Sequence, residues 1–270
     1  MIMIARLKIV LSACLLVSII AACATSPSGR RQLMLVSEEK AISASKIAYV
    51  DMITPLEKKG KIDNDPAMSK RVNIITNRLI KQAKIMRPAT KDWEWSVKVI
   101  DDPKTVNAWC MAGGKMAIYS GLITQLNATD DEIAQVMGHE ISHALANHTA
   151  ERMSVAMATS IGILAIAASS KENTGAKVAG AAVAAKLAIE LPNSRTSESE
   201  ADRIGIELAA KAGYDPAAAV SLWEKMAKLG GNGPVFLSTH PAPENRQQTL
   251  KALIPQMMPY YLAARDKNKT

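Results

Sequence analysis

The strongest constraint on the fold is a capped amphipathic helix that carries two histidines four residues apart. The sequence T-D-D-E at 129–132 fits a capping box, which places acidic residues at the positive end of a helix dipole. Apolar residues then recur at helical spacing, so we predict one helix from Thr129 to Met153. His139 and His143 lie one turn apart and therefore share a face of that helix.

Two imidazoles on one helix face can bind a single zinc ion. Glu140 is rotated by about 100° from His139, too far to be a ligand in the same plane, but it can reach a water on the metal. The pattern H-E-x-x-H at 139–143 therefore predicts one zinc ion with Glu140 as general base. Chance occurrence is improbable because the chain holds only four histidines.

A third ligand decides the class of zinc site. The metzincin pattern needs glycine and histidine where this chain has Ala146 and Thr149, so that class is excluded. Glu198 and Asp202 lie four residues apart on a later predicted helix, 197–212, and share a face. One of these carboxylates can bind zinc while the other accepts the ring N–H of a ligand histidine.

Two neighbouring polar residues are expected to lie outside the site. His148 is nine residues beyond His139, which places it on the opposite face of a continuous helix, in a structural or surface role. Glu200 points away from the face that Glu198 and Asp202 share, so we expect a solvated side chain.

The chain resembles peptidase family 48, the zinc metallopeptidases that include the CAAX prenyl protease, the mitochondrial inner-membrane quality-control peptidase and bacterial periplasmic relatives. The resemblance covers most of residues 40–255. It rests on H-E-I-S-H at 139–143, S-R-T-S-E-S-E-A-D at 194–202, T-H-P-A-P-E-N-R at 239–246 and the strand motif at 107–122. The family's zinc ligands then fall on His139, His143 and Glu198. Glu140 takes the catalytic role, and Asp202 orients a histidine.

The resemblance also places the loop that carries His240 near the active site. Three roles stay open for His240: it can donate a hydrogen bond to the oxyanion, occupy the open position of zinc and keep the enzyme latent, or only structure the loop. Arg246 can anchor that loop by pairing with a carboxylate.

The remaining pattern predicts a single-domain, mainly helical α+β fold of the zincin-like type with a small β-sheet. Helices are expected within 37–86 and a strand at 93–99. A second strand region at 107–119 is interrupted by paired glycines, which predict a hairpin or a bulge. The segment 115–119 is expected to offer a free strand edge to an extended substrate. Apolar stretches at 155–168 and 178–189 predict a helical hairpin that packs on the core or dips into a membrane interface.

The N-terminus predicts export and lipid attachment. Basic residues precede a short apolar run that ends in I-A-A-C at 20–23, a pattern that resembles the bacterial lipobox, with plain cleavage after Ala24 as the alternative. We predict a signal peptide at 1–22, a lipidated tether at 23–36 that starts with Cys23, a metallopeptidase domain at 37–260 and a polar tail at 261–270. The expected location is the periplasmic side of a bacterial envelope, with the outer membrane favoured.

The expected function is hydrolysis of internal peptide bonds in unfolded or misassembled envelope proteins. The alternative is an envelope chaperone or assembly factor with latent protease activity. Nucleic acid is not an expected partner, because the basic residues behind the net charge of +8 are scattered and aromatic content is 4%. The sequence does not indicate which oligomeric state the protein adopts.

Overall fold

The computed structural model describes residues 23–169, 193–229, 234–241 and 245–267. These residues divide into two compact units, 23–37 with 150–169, and 38–149 with the described residues from 193 onward. The signal peptide predicted at 1–22 and the second apolar stretch at 178–189 lie outside the described residues. All of the predicted zinc-site residues belong to the larger unit.

The described chain is mainly helical, and the predicted α+β class is confirmed. The strands are β1 Cys23–Thr25, β2 Arg31–Leu33, β3 Ser96–Ile100, β4 Ala108–Cys110 and β5 Lys115–Tyr119. The helices are α1 Glu38–Lys58, α2 Pro66–Met86, α3 Ser120–Gln125, α4 Asp130–Leu145, α5 His148–Ser169, α6 Arg195–Lys211, α7 Ala218–Lys228, α8 Val235–Thr239 and α9 Arg246–Lys267, with a 3-10 turn at Pro88–Asp92.

The larger unit contains a three-stranded sheet in the order β3-β5-β4. β4 and β5 form the expected antiparallel hairpin, and the turn between them uses Gly113 and Gly114 at φ of 86° and 84°. The prediction of a free edge at 115–119 is wrong, because β5 is the central strand. β3 pairs with it in parallel on one side and β4 pairs with it on the other. The outer strands are therefore β3 and β4.

The N-terminus of α4 has the predicted capping box. Thr129 Oγ1 accepts a hydrogen bond from the Glu132 N–H at 3.2 Å, and the Glu132 carboxylate accepts one from the Thr129 N–H at 2.9 Å. Glu132 also accepts hydrogen bonds from Lys225 Nζ at 2.6 Å and Ser221 Oγ at 2.7 Å, both on α7. The buried Glu132 carboxylate thus caps the N-terminus of α4 and also bonds α4 to α7.

α4 ends earlier than the sequence pattern predicts. Asn147 has a left-handed φ of 56°, and a second helix, α5, begins at the next residue. Arg87 Nη1 stabilises the break by donating to the Leu145 carbonyl at 2.9 Å and to Asn147 Oδ1 at 3.2 Å. The predicted single helix from Thr129 to Met153 is therefore two helices, and His148 does not continue the helical path of α4.

α4 and α6 cross with their backbones in contact. A Cβ atom on Gly205 would lie 2.8 Å from the His139 amide nitrogen, and one on Gly138 would lie 3.0 Å from the Gly205 carbonyl oxygen. Glu198, Asp202 and Gly205 follow i, i+4, i+7 spacing, so they share the face of α6 that meets α4. The crossing brings the acidic residues of α6 to the histidines of α4.

The smaller unit contains the antiparallel pair β1–β2 and most of α5. Arg30 forms two hydrogen bonds of 2.6 Å with the Glu151 carboxylate, and the Val36 N–H donates to Ser154 Oγ at 2.9 Å. Residues predicted to form the lipidated tether are therefore folded as a hairpin held to α5.

At the C-terminal end of the described chain α9 continues to Lys267, so most of the predicted polar tail is helix. In the described ranges, no helix has the length and apolarity that a membrane crossing requires.

We expect Gly205→Ala to destabilise the protein although alanine favours helix by about 1 kcal/mol. The new Cβ meets backbone rather than a flexible side chain, so α6 must move away from α4, at a cost of about 1–3 kcal/mol. Urea unfolding followed by circular dichroism measures this change. Gly138→Ala is the graded control with a smaller expected loss, and a more stable Gly205→Ala protein would contradict the close crossing.

Candidate metal centre

Four buried side chains converge where α4 and α6 cross. His139, His143, Glu198 and His240 each offer one ligand atom, and these atoms lie within 4.8 Å of one another. The Nε2 atoms of His139 and His143 are 3.1 Å apart, and the Glu198 oxygens lie 3.3 Å from each of them. The exposed fraction of every one of these residues is 5% or less. Imidazole nitrogens with one carboxylate are a donor set that zinc accepts, so the residues fit one zinc ion.

The charge states of these side chains follow from burial and mutual hydrogen bonding. Burial raises the pKa of Glu198, but hydrogen bonds from His139, His143 and His240 outweigh it and hold that pKa far below its usual range. Burial lowers the pKa of His139, yet its contacts with Asp202 and Glu198 raise the pKa to about 10. Burial holds the pKa of His143 well below its ordinary value. Glu198 is thus an ionised carboxylate, as a metal ligand must be.

Asp202 and Arg246 support the ligands. Asp202 Oδ1 lies 3.0 Å from Nδ1 of His139. Arg246 donates from Nε to Asp202 Oδ2 and from Nη2 to Glu198 Oε2, both at 2.6 Å. Its guanidinium also covers the Trp223 ring at 3.9 Å from the centroid. Arg246 was expected to pair with one carboxylate, and the structure places it between two.

Glu140 is buried beside the ligand group without being part of it. Burial raises its pKa, while contacts with His240 and His139 and a hydrogen bond from the Cys110 backbone N–H act in the opposite direction. Its Oε1 lies 3.4 Å from His240 Nε2 and has no hydrogen-bond partner among the described residues. The side chain therefore holds one free acceptor oxygen next to the donor set.

His240 follows α8 and fills the space between the ligands and Glu140. Its Nδ1 lies 3.0 Å from Glu198 Oε1 and 3.3 Å from His139 Nε2. The ring stacks on Phe236 with centroids 4.3 Å apart, and Asn193 Nδ2 contacts Nδ1 at 3.3 Å. Of the two ring nitrogens, Nδ1 faces the ligand group and Nε2 faces Glu140.

Two expectations about nearby polar residues are wrong in part. His148 is fully buried, with Nδ1 2.7 Å from His143 Nδ1, so it has no surface role. Glu200 is 5% exposed rather than solvated, and its Oε2 lies 3.1 Å from His148 Nε2. The break at Asn147 causes both errors, because it returns His148 to the side of α4 that carries His143. Asn147 itself was the available signal, since asparagine is common in the left-handed position that ends helices.

Comparison with known proteins agrees with this geometry. The sequence profile of Peptidase family M48 matches residues 66–254, which is more than half of the chain. Mitochondrial metalloendopeptidase OMA1 of Arabidopsis thaliana is 38% identical over 157 residues, covering 58% of this chain and 31% of that protein. Metalloendopeptidase OMA1 of Bos taurus is 30% identical over 244 residues, covering 86% of this chain and 46% of that protein.

A putative beta-barrel assembly-enhancing protease of Vibrio cholerae is 30% identical over 229 residues, covering 80% of this chain and 44% of that protein. The chain thus spans between about a third and a half of the length of these curated relatives. The predicted family of zinc metallopeptidases and the prediction of one zinc ion are confirmed by the family match together with the His/Glu group. On this evidence the chain belongs to peptidase family M48.

Proposed function

We propose that this chain is a zinc-dependent endopeptidase that hydrolyses internal peptide bonds of unfolded or misassembled cell-envelope proteins. The observation that carries the proposal is the convergence of His139, His143 and Glu198 with Glu140 held beside them. A purely structural zinc site needs no general base beside its ligands. A buried acceptor oxygen without a partner, such as that of Glu140, is costly for the fold, and a reactant that donates a hydrogen bond to it would explain why it is there.

In the proposed mechanism, zinc when bound supplies a Lewis acid that polarises the scissile carbonyl and acidifies water. Glu140 accepts the proton of the attacking water at Oε1 and passes it to the leaving amine. Its burial suits this role because a raised pKa lets one carboxylate both take and release a proton. Asp202 orients His139 through Nδ1, and Arg246 balances the charges of Asp202 and Glu198.

We propose that His240 occludes the site at rest rather than serving as an oxyanion donor. Its Nδ1 points into the ligand group, and the whole group is buried. An oxyanion donor would need to face the space that the substrate carbonyl enters, whereas His240 fills that space. The same closure supports the second candidate function, an assembly factor with latent protease activity.

The substrate class and location rest on sequence signals and on the relatives. The lipobox-like sequence that ends at Cys23 favours a lipid anchor on the periplasmic side of a bacterial envelope. The relatives named beta-barrel assembly-enhancing proteases favour an envelope role for the chain. An extended substrate would pair with an outer strand of the sheet. β4 is the better candidate, because its Cys110 N–H already reaches Glu140.

We expect Glu140→Gln to bind zinc with wild-type stoichiometry and to cleave unfolded casein about 10²–10⁴-fold more slowly, because the amide cannot take a proton from water. Elemental analysis gives the zinc content, and release of fluorescent peptides gives the rate. Glu224→Gln, on the partly exposed face of α7, is the matched control and should cleave normally. Undiminished cleavage by Glu140→Gln would contradict the mechanism.

Replacement of His240 by alanine separates its roles. An occluding His240 predicts faster cleavage with zinc retained by the other three ligands, because the substrate no longer has to displace the imidazole. An oxyanion donor predicts a fall in kcat of about 10²–10³-fold. Peptide cleavage and zinc content, measured on the same preparation, distinguish the two, and slower cleavage with full zinc would exclude the occluding role.

A further inference from the structure

A line of three buried side chains leads outward from the ligand group. His143 Nε2 faces the other ligand atoms, and its Nδ1 lies 2.7 Å from Nδ1 of His148. The Nε2 of His148 in turn lies 3.1 Å from Oε2 of Glu200. The exposed fractions of His143, His148 and Glu200 are 4%, 0% and 5%.

The ligand role of His143 fixes the protons along this line. An imidazole that binds metal through Nε2 must carry its proton on Nδ1. That N–H points at Nδ1 of His148, which must therefore be a bare acceptor. The remaining proton of His148 is then on Nε2, where it donates to the Glu200 carboxylate. Every donor faces an acceptor in this arrangement, and the opposite tautomer of His143 would leave Nε2 protonated against the metal.

We propose that His148 and Glu200 are positioning residues that lock the ring of His143 in the tautomer that binds zinc. The inference rests on the proposed assignment of His143 as a ligand. It gives each α4 histidine its own support from α6, since Asp202 contacts Nδ1 of His139 directly and Glu200 reaches Nδ1 of His143 through His148. The break at Asn147 makes this possible, because it starts α5 with His148 next to His143.

The test is zinc affinity of the full chain, measured by competition with a chelator after the metal has been removed. His148→Phe keeps a ring of similar size but removes both nitrogens, and we expect it to weaken zinc binding about 10–100-fold. His148→Asn places an amide oxygen near the position of Nδ1 and should restore much of the affinity. Glu200→Leu should also weaken binding, and Glu200→Gln, which keeps an acceptor oxygen, should weaken it less.

Ser142→Ala is the matched control. It removes a buried hydrogen bond of 2.7 Å to the Gly138 carbonyl on the same helix without touching Nδ1 of His143, so zinc affinity should not change. Circular dichroism of the metal-free proteins separates folding from binding, and the absorption spectrum of the cobalt-substituted proteins reports ligand geometry. Folded His148→Phe and Glu200→Leu proteins with wild-type affinity and spectra would overturn the inference. A wild-type chain that binds no zinc would instead contradict the proposed function and its ligand assignment.

Discussion

The site depends on one close contact, the crossing of α4 and α6 at Gly138 and Gly205. The absence of side chains there lets the two backbones touch, and a single Cβ would force them apart. α4 brings His139, His143 and Glu140, and α6 brings three further carboxylates that contact histidines, those of Glu198, Glu200 and Asp202. Because each side chain is fixed by the helix that carries it, a shift of one helix would change every ligand distance at once.

The crossing concentrates charge in a dry environment, which is costly unless the charges are paired. Arg246 meets this requirement because its one guanidinium bonds both Glu198 and Asp202 and lies over the Trp223 ring. His240 is covered by Phe236 in the same region. His240, which follows α8, and Arg246, which begins α9, thus cover the ligand group and balance its charge.

The sequence predicted correctly those features that are determined by residues close together in the chain. The capping box, the shared face of His139 and His143, and the pair Glu198 and Asp202 all follow from helical spacing, and the glycine-marked hairpin follows from turn chemistry. The errors concern contacts between distant segments. β5 is a central strand because β3 pairs with it from outside the hairpin, and α4 ends at Asn147 with help from Arg87, the residue that caps the end of α2. His148 and Glu200 were misplaced for the same reason.

The central claim is that α6 supplies the third zinc ligand through Glu198. Elemental analysis of the purified full chain tests it most directly, with circular dichroism to confirm folding. In the His240→Ala background, which removes the third imidazole of the donor set, Glu198→Ala should reduce bound zinc from about one ion per chain to a small fraction, since two imidazoles alone hold zinc weakly. In the same background Glu207→Ala, which removes a half-buried carboxylate paired with Lys211 on the same helix, should keep the full zinc content. A folded Glu198→Ala protein in that background that retains one zinc ion per chain would contradict the account.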